Sequence, residues 1–122
     1  MRYMLLIHDE EQAWAAMPEE QRNGLYQEYA AFGAELREKG AFVDGAQLQP
    51  TSTATTVRIR GDEQVVTDGP FAETKEQLGG FYLIEAESVD EALEWAAKIP
   101  SARLGSIEVR PLVPARVEAS AG

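Results

Sequence analysis

The chain has 122 residues, with 21 acidic and 11 basic side chains, a formal net charge of −10 at pH 7 and no cysteine. This length fits one domain that buries about two thirds of the surface of its unfolded chain. The lack of cysteine excludes disulfides, thiolate metal sites and a cysteine nucleophile, and the acidic surplus without a Lys/Arg stripe argues against nucleic-acid binding.

The first predicted element is a strand over residues 3–7. Its side chains are apolar on both alternating faces, which indicates a central strand rather than an edge. His8 and three acidic residues follow at once. The sequence shows neither a signal-peptide pattern nor an apolar run of about 20 residues, the length needed to span a membrane. We therefore expect a cytoplasmic protein without a membrane partner.

A long amphipathic helix follows, beginning at Pro18 and ending at Gly40. Proline is favourable in the first helical turn, and glycine is favourable just beyond the last one. One face carries apolar side chains spaced by four, three and four residues, which are Leu25, Tyr29, Phe32 and Leu36. This spacing predicts that the helix covers one face of a sheet.

The middle of the chain predicts further strands. Residues 41–43 start the second one. Residues 55–60 alternate between apolar and polar side chains, with Arg58 on the polar face. Residues 61–62 are Gly-Asp, which suits a two-residue hairpin turn, and the returning strand runs through residues 65–68.

The most informative stretch is residues 66–85, with the sequence VTDGPFAETKEQLGGFYLIE. Its Asp-Gly-Pro tripeptide, residues 68–70, predicts a turn in which the glycine needs a special conformation and the aspartate accepts a backbone amide. A capping-box spacing of Thr and Gln predicts one helical turn over residues 74–78, which the glycines at 79–80 end. A buried strand follows over residues 81–86.

The last third of the chain predicts a helix, a strand and a tail. Ser88 begins a capping box for a helix that ends by Pro100, and residues 106–112 predict the last strand. Residues 113–122 contain Pro, Ala and Ser with little pattern, which indicates a tail beyond a domain of residues 1–112.

The order of elements predicts an α+β fold, a split βαβ sandwich that has an antiparallel sheet with helices on one face. The other face of the sheet also needs cover. Central strands that are apolar on both sides in so short a chain indicate that a second subunit supplies it, most simply through a two-fold homodimer.

His8 is the only histidine of the chain and lies at the end of a central strand, where a cleft commonly opens. It is the first candidate for a catalytic base, with Asp68 as the carboxylate that orients it. Both residues have a structural alternative. His8 can cap the strand in partial contact with solvent, and Asp68 can bond the amides of its own turn. Convergence of the two side chains within hydrogen-bond distance would favour the catalytic alternative.

The candidates for binding a ligand are Arg58, Gly69, Pro70, Phe71, Lys75 and Tyr82. The two cations can hold an acid group, and the aromatic rings can line an apolar pocket. The alternatives are solvated surface charges for the cations and core positions for the rings. A single histidine without cysteine argues against a protein-only metal site, and no glycine-rich nucleotide motif is present. We predict neither a metal nor a cofactor.

Three segments of the sequence resemble one known family. The run TDGPFAETKEQLGGFYLIE is similar to the signature of the DGPF subgroup of the YCII-related proteins, and MRYMLLIH and VDEALEWAAKIP resemble the first strand and second helix of that family. The resemblance spans about residues 1–112. It implies a ferredoxin-like fold in a dimeric α/β barrel arrangement, without fixing a reaction.

The resemblance to the wider superfamily also implies positions for a catalytic His-Asp pair, which can be compared with this sequence. Members that resemble muconolactone isomerases and dehydrohalogenases carry a His in the first helix and an Asp soon after the second strand. The His position falls near Tyr29 in this chain, and no Asp follows Gly45 until Asp62. The superfamily pair is therefore not preserved.

These observations together predict a protein that binds a small organic acid in a cleft beside residues 68–71. The first alternative is a cofactor-free isomerase or dehydrohalogenase-like enzyme that uses His8 and Asp68. The second is a non-catalytic regulatory or assembly module.

Overall fold

The computed structural model describes residues 1–114. Within this part the chain forms six strands, which are β1 (Arg2–Asp9), β2 (Phe42–Gln47), β3 (Thr55–Arg60), β4 (Glu63–Asp68), β5 (Gln77–Glu85) and β6 (Ser106–Pro111). Its three α-helices are α1 (Glu11–Ala16), α2 (Glu19–Glu38) and α3 (Val89–Ala97). Two single 3-10 turns lie at Thr51–Thr53 and Pro100–Arg103.

The main sheet has four strands in the order β2-β5-β1-β6, and all neighbouring strands are antiparallel. Strand β1 lies inside the sheet between β5 and β6, so the prediction of a central first strand is confirmed. Strands β1 and β2 run in the same direction with β5 between them, and α2 connects them. This arrangement is a split βαβ unit, consistent with a ferredoxin-like α+β fold.

The hydrophobic core lies between this sheet and helices α2 and α3. Alternate residues of β1 point into it, and they are Tyr3, Leu5 and Ile7. From α2, Phe32 and Leu36 join them, which confirms the apolar stripe predicted for the helix. From α3, Ala92, Trp95 and Ala96 complete the cluster. Burial of these side chains is the main force that holds the helices on the sheet.

The opposite face of the sheet, here called the open face, carries the other alternate side chains. Pairing of β1 with β5 and β6 places on it Met4, Leu6, His8, Phe81, Leu83, Glu108 and Arg110. The apolar members are half-buried. The open face is therefore apolar at its centre and charged along β6.

Strands β3 and β4 form a hairpin that is a two-stranded sheet of its own. Its turn contains Gly61 with a φ of +62°, as the predicted Gly-Asp turn requires. The predicted alternation along β3 is confirmed, but the apolar side chains are the more exposed ones. Val57 and Ile59 are each 60% exposed, whereas Arg58 is half-buried.

One local prediction was wrong, and one helix was not predicted. Residues 74–78 form no helical turn, because the Thr74 hydroxyl bonds the carbonyl of Glu76 and β5 already begins at Gln77. Helix α1 was not predicted at all, since six residues are too few for a recognisable apolar period.

The helices of the described part are each too short or too polar to span a membrane. Val113 follows the last strand and is largely exposed. The rest of the predicted tail, residues 115–122, lies outside the described residues, so the boundary at residue 112 stays a prediction.

Candidate functional site

A cavity of about 490 Å³ opens between helices α1 and α2 and the main sheet. We call it the helix–sheet cavity. Its aromatic wall consists of Trp14, Tyr26, Tyr29, Phe42 and Tyr82, and its charged or hydroxyl-bearing members include Asp9, Glu11, Arg22, Arg37 and Ser101. A concave, largely apolar space with a few convergent polar groups is the usual form of a small-molecule site.

Asp9 is the buried carboxylate of this cavity and is only 7% exposed. The alternation of β1 places it on the helix side, next to the core positions of the same strand. Its Oδ2 atom accepts a hydrogen bond of 2.7 Å from Nε1 of Trp14. Its Oδ1 atom faces Gly79, where an added Cβ would lie only 3.3 Å away. The hydrogen bond to Oδ2 thus fixes the carboxylate, while Oδ1 can be approached by a ligand.

Tyr29 and Ser101 form a hydroxyl pair in the same cavity, with 2.6 Å between their oxygens. Ser101 is almost fully buried in the 3-10 turn that follows α3. The pKa of Tyr29 is raised to about 12, chiefly by burial; the bond to Ser101 opposes this rise, and the charges that Tyr82 and Asp9 can carry add to it. Tyr29 is therefore a neutral hydroxyl over the physiological pH range.

Two arginines line the cavity without an ion pair to any carboxylate of the described residues, and they are Arg22 and Arg37. Arg22 Nη1 donates a hydrogen bond of 3.1 Å to the carbonyl oxygen of Trp14. The Arg37 guanidinium lies 4.3 Å from the centre of the Phe42 ring. Burial raises the pKa of Tyr82, and the charge of Arg37 opposes that rise.

A second cavity of about 420 Å³, here called the motif cavity, lies beside the loop between β4 and β5. It is lined by Glu10, Glu11, Gln12, Thr51, Pro70, Ala72, Glu73, Thr74, Lys75 and Gln77. Three carboxylates and one ammonium group give it a negative balance. Glu11 lines both cavities, so the two spaces adjoin.

Two side chains join the segments around these cavities. The Glu11 carboxylate accepts hydrogen bonds from the backbone amide and the hydroxyl of Thr51, at 2.6 and 2.7 Å. Gln77 accepts a bond of 3.0 Å from the Glu11 amide and donates one of 2.6 Å to the carbonyl of Thr74. The first turn of α1 is therefore bonded both to the 3-10 turn after β2 and to the first residue of β5.

A profile of the YCII-related domain matches residues 1–116. The chain belongs to the YCII-related family. An uncharacterized protein of Rhizobium meliloti (strain 1021) is 42% identical to it over 114 residues, which are 92% of each chain.

Among solved structures, this YCII-related chain resembles a 5-chloro-2-hydroxyhydroquinone dehydrochlorinase from Burkholderia phenoliruptrix AC1100, solved in complex with 2,5-dihydroxybenzoquinone. The likeness has a TM-score of 0.50 at 20% identity and covers 93% of this chain and 94% of the other. At this identity the likeness concerns the fold alone.

The structure does not join His8 to Asp68. His8 lies on the open face, where its Nε2 is 3.4 Å from Oε1 of Glu108. The pKa of Glu108 is lowered, chiefly by its hydrogen bond from Arg110 and to a smaller extent by His8. Within residues 1–114, no hydrogen bond or ion pair connects His8 with Asp68.

The turn at residues 68–70 differs in part from its prediction. Gly69 has a φ of +99°, which confirms its special conformation. The Asp68 side chain is exposed and accepts no hydrogen bond from the described residues, so the expected bond to a turn amide is wrong. The backbone supplies the contacts instead, because the Gly69 amide donates to the carbonyl of Ala54 at 2.8 Å and the Thr56 hydroxyl donates to the carbonyl of Gly69 at 2.8 Å.

The other predicted ligand-binding residues lie in different places. Pro70 and Lys75 line the motif cavity, and Tyr82 lines the helix–sheet cavity. Phe71 is 80% exposed, and Arg58 belongs to the hairpin; neither lines one of these two cavities.

Sequence reasoning missed most of the residues that converge in the helix–sheet cavity, namely Asp9, Trp14, Arg22, Arg37 and Ser101. The alternation of β1 assigns Asp9 to the same face as Tyr3 and Ile7, but the strand is apolar on both faces, so this pattern did not show which face the helices cover. Within the described residues, no three His, Cys, Asp or Glu side chains are grouped as a metal site would need.

Proposed function

We propose that this YCII-related protein binds a small organic acid with a planar, apolar body in the helix–sheet cavity. The observation that carries the proposal is the pair of arginines, Arg22 and Arg37, which line an aromatic cavity without a carboxylate partner among the described residues. A guanidinium group binds a carboxylate through two parallel hydrogen bonds, and its net stabilisation is largest where water is partly excluded.

The two guanidinium groups of the cavity keep N–H donors available to an anion. The two carboxylates that balance their charge are bonded elsewhere, Glu11 by Thr51 and Asp9 by Trp14. Neither carboxylate forms an ion pair with Arg22 or Arg37. A bound acid can therefore accept from these arginines, and the rings of Trp14 and Tyr82 supply faces on which a flat body can pack.

The Asp-Gly-Pro-Phe loop has a supporting role in this proposal, and we assign the chain to the DGPF type on the residues of that loop. Its own cavity contains Glu10, Glu11 and Glu73 against Lys75, a balance that opposes an organic anion. The loop instead reaches the helix–sheet cavity through Gln77, which bonds the first residue of α1. Helix α1 in turn carries Trp14 over Asp9.

We also propose that two copies of the chain form a homodimer through their open faces, in the manner of a dimeric α/β barrel. The apolar residues Met4, Leu6, Phe81 and Leu83 form the centre of that face. A second copy would cover them by a two-fold contact, in which each face meets its own equivalent.

Ligand binding is tested by calorimetry and thermal shift with a series of aromatic carboxylic acids, each compared with its neutral amide. We expect acids to bind and amides to bind weakly. The Arg37→Gln and Arg22→Gln variants should each lose about tenfold or more in affinity, the scale of one charge-assisted hydrogen bond.

Two further variants give this experiment its controls. Arg60→Gln removes the same charge from the exposed hairpin, and we expect no change in affinity. Lys75→Gln tests the motif cavity directly. If Lys75→Gln abolishes acid binding while Arg37→Gln leaves it intact, the ligand occupies the motif cavity and the present assignment is wrong.

A further inference from the structure

The Asp9 carboxylate has one oxygen available to a bound molecule. Oδ2 is occupied by the indole of Trp14, while Oδ1 accepts no hydrogen bond from the described residues. Every buried side-chain nitrogen and oxygen of these residues has a partner, so Oδ1 is in contact with the open space of the cavity. Gly79 leaves this approach free, since its missing Cβ would stand 3.3 Å from that oxygen.

A neutral hydroxyl pair lies in the same cavity as this carboxylate. Tyr29 and Ser101 share one hydrogen bond of 2.6 Å. Each residue has one hydroxyl proton, and only one of the two protons is used in this bond, so the other can be donated to a ligand. Tyr29 keeps its proton, because its pKa is about 12. A carboxylate that accepts a proton and a neutral hydroxyl that donates a hydrogen bond are the two groups that enolisation next to a carbonyl requires.

We propose that the helix–sheet cavity is a proton-transfer site in which Asp9 and Tyr29 interconvert the keto and enol forms of arylpyruvate-type 2-oxo acids. This inference rests on the proposed function, because the acid group of the substrate is held by the same arginines. It adds a reaction and a substrate class to that binding site.

The reaction balances without an oxidant or reductant. Asp9 Oδ1 removes a proton from the carbon next to the carbonyl. The C–H electron pair becomes a C=C bond, and the carbonyl π pair moves to the oxygen, where the Tyr29 hydroxyl stabilises the developing charge by a hydrogen bond. Asp9 then returns the proton to that oxygen, directly or through a water molecule. The product is the enol, and Asp9 is again a carboxylate.

The substrate class follows from the groups available in the cavity. A 2-oxo acid offers a carboxylate to Arg22 or Arg37 and a carbonyl oxygen to Tyr29. An aryl group on the third carbon makes the C–H acidic and gives a flat ring that packs against Trp14 or Tyr82. Fixing these groups in one geometry supplies the orientation that proton transfer needs.

The experiment uses the full-length protein with phenylpyruvate as the probe. Enol formation is followed by ultraviolet absorbance, and exchange of the C–H protons with deuterium is followed by NMR. We expect both rates to exceed the buffer-catalysed rates by at least about 100-fold, the lower range of general acid–base catalysis.

Four variants locate the chemistry. Asp9→Asn keeps an acceptor for Trp14 but cannot take the proton, so exchange should fall about 100-fold or more while phenylpyruvate affinity changes little. Tyr29→Phe should slow exchange about tenfold or more. Gly79→Ala should slow exchange by crowding Oδ1, and it serves as a second variant if Asp9→Asn fails to fold. His8→Gln is the control on the open face and should be silent.

The outcomes separate this inference from the proposed function. Binding of phenylpyruvate through Arg37 without exchange above the buffer rate overturns the proton-transfer site and leaves the binding function standing. Exchange that survives both Asp9→Asn and Gly79→Ala also overturns it. Failure of all aromatic acids, phenylpyruvate included, to bind overturns both proposals together.

Discussion

Tyr29 couples the chemistry of the cavity to the stability of the fold. Its pKa is raised from 10.0 to about 12 in the folded chain, mainly by burial. An unfolded chain therefore loses the Tyr29 proton first as the pH rises. The stability contributed by this group is fully present below pH 10 and is lost between pH 10 and about 12.

The first prediction concerns this pH window. The Tyr29→Phe variant should show a shallower fall in the free energy of unfolding above pH 10 than the unmodified chain. Part of the fall should remain, because burial also raises the pKa of Tyr82. Urea unfolding at a series of pH values measures the slope, and tyrosinate absorbance follows the ionisation. Identical slopes for the two proteins would show that Tyr29 ionises as an unburied tyrosine.

The second prediction concerns Gly69, whose φ of +99° is unfavourable for other residues. An added Cβ would meet no atom within 4 Å, so the cost comes from the backbone and not from a clash. Gly69→Ala should lower the free energy of unfolding by about 1 kcal/mol.

A glycine in the middle of α2 supplies the matched control. Gly24 also has open space around a built Cβ, but its backbone is helical. Gly24→Ala should therefore stabilise the chain by roughly 0.5 to 1 kcal/mol. Chemical denaturation of both variants gives the comparison. Equal effects of the same sign would contradict the conformational account of Gly69.

At the scale of elements, α1 depends on its neighbours more than on its own sequence. A helix of six residues is unstable alone. Three hydrogen bonds hold it in place. The side chain of Gln77 accepts one from the Glu11 amide, and the Glu11 carboxylate accepts one from the Thr51 amide. The third is donated by the indole of Trp14 to Asp9. The helix thus forms one wall of the helix–sheet cavity only while the loop before β5 is in place.

The third prediction follows from that dependence. Gln77→Ala should speed amide hydrogen exchange in α1 and weaken acid binding severalfold, although Gln77 does not line the helix–sheet cavity. Gln64→Ala, in the exposed strand β4, is the control and should change neither quantity. Unchanged exchange in α1 would mean that the bond from Gln77 contributes nothing to its position.

Elements with a local signal could be predicted from the sequence. The apolar spacing of α2 and the hydroxyl of Ser88, which accepts the Glu91 amide at 3.2 Å, depend on residues close in the chain. Helix α1 and the start of β5 could not be predicted in this way. The hydrogen bond between Glu11 and Gln77 joins residues 66 positions apart, so the local sequence around either residue does not indicate that the two residues meet.

The same distinction holds for the candidate site. Tyr82 was among the predicted ligand-binding residues, because aromatic rings can line an apolar pocket, and it lines the helix–sheet cavity. Ser101 and Tyr29 meet across 72 positions of the sequence, and no motif precedes either residue. The first strand is apolar on both faces, so the sequence alone left open which face the helices cover, and with it the direction of Asp9.

At the scale of the whole molecule, the open face predicts association. A homodimer should give twice the monomer mass of 13.4 kDa in light scattering at micromolar concentration. Leu83→Glu introduces a charge at the centre of the face and should produce monomers. Leu93→Glu places the same charge on the exposed side of α3 and should leave the dimer intact. A monomer of the unmodified chain would exclude the barrel-type dimer.

Strand β5 has one residue more than β1 where the two pair, since Ile7 faces Gly80 whereas His8 faces Leu78. Neighbouring side chains of a strand point to opposite faces of the sheet. The imidazole of His8 therefore lies on the open face, and the carboxylate of Asp9 lies in the helix–sheet cavity. A single insertion or deletion in β1 would exchange them and place an imidazole beside Trp14. In such a scaffold, a change of register alone would turn a carboxylate-based site into a histidine-based one without any new side chain.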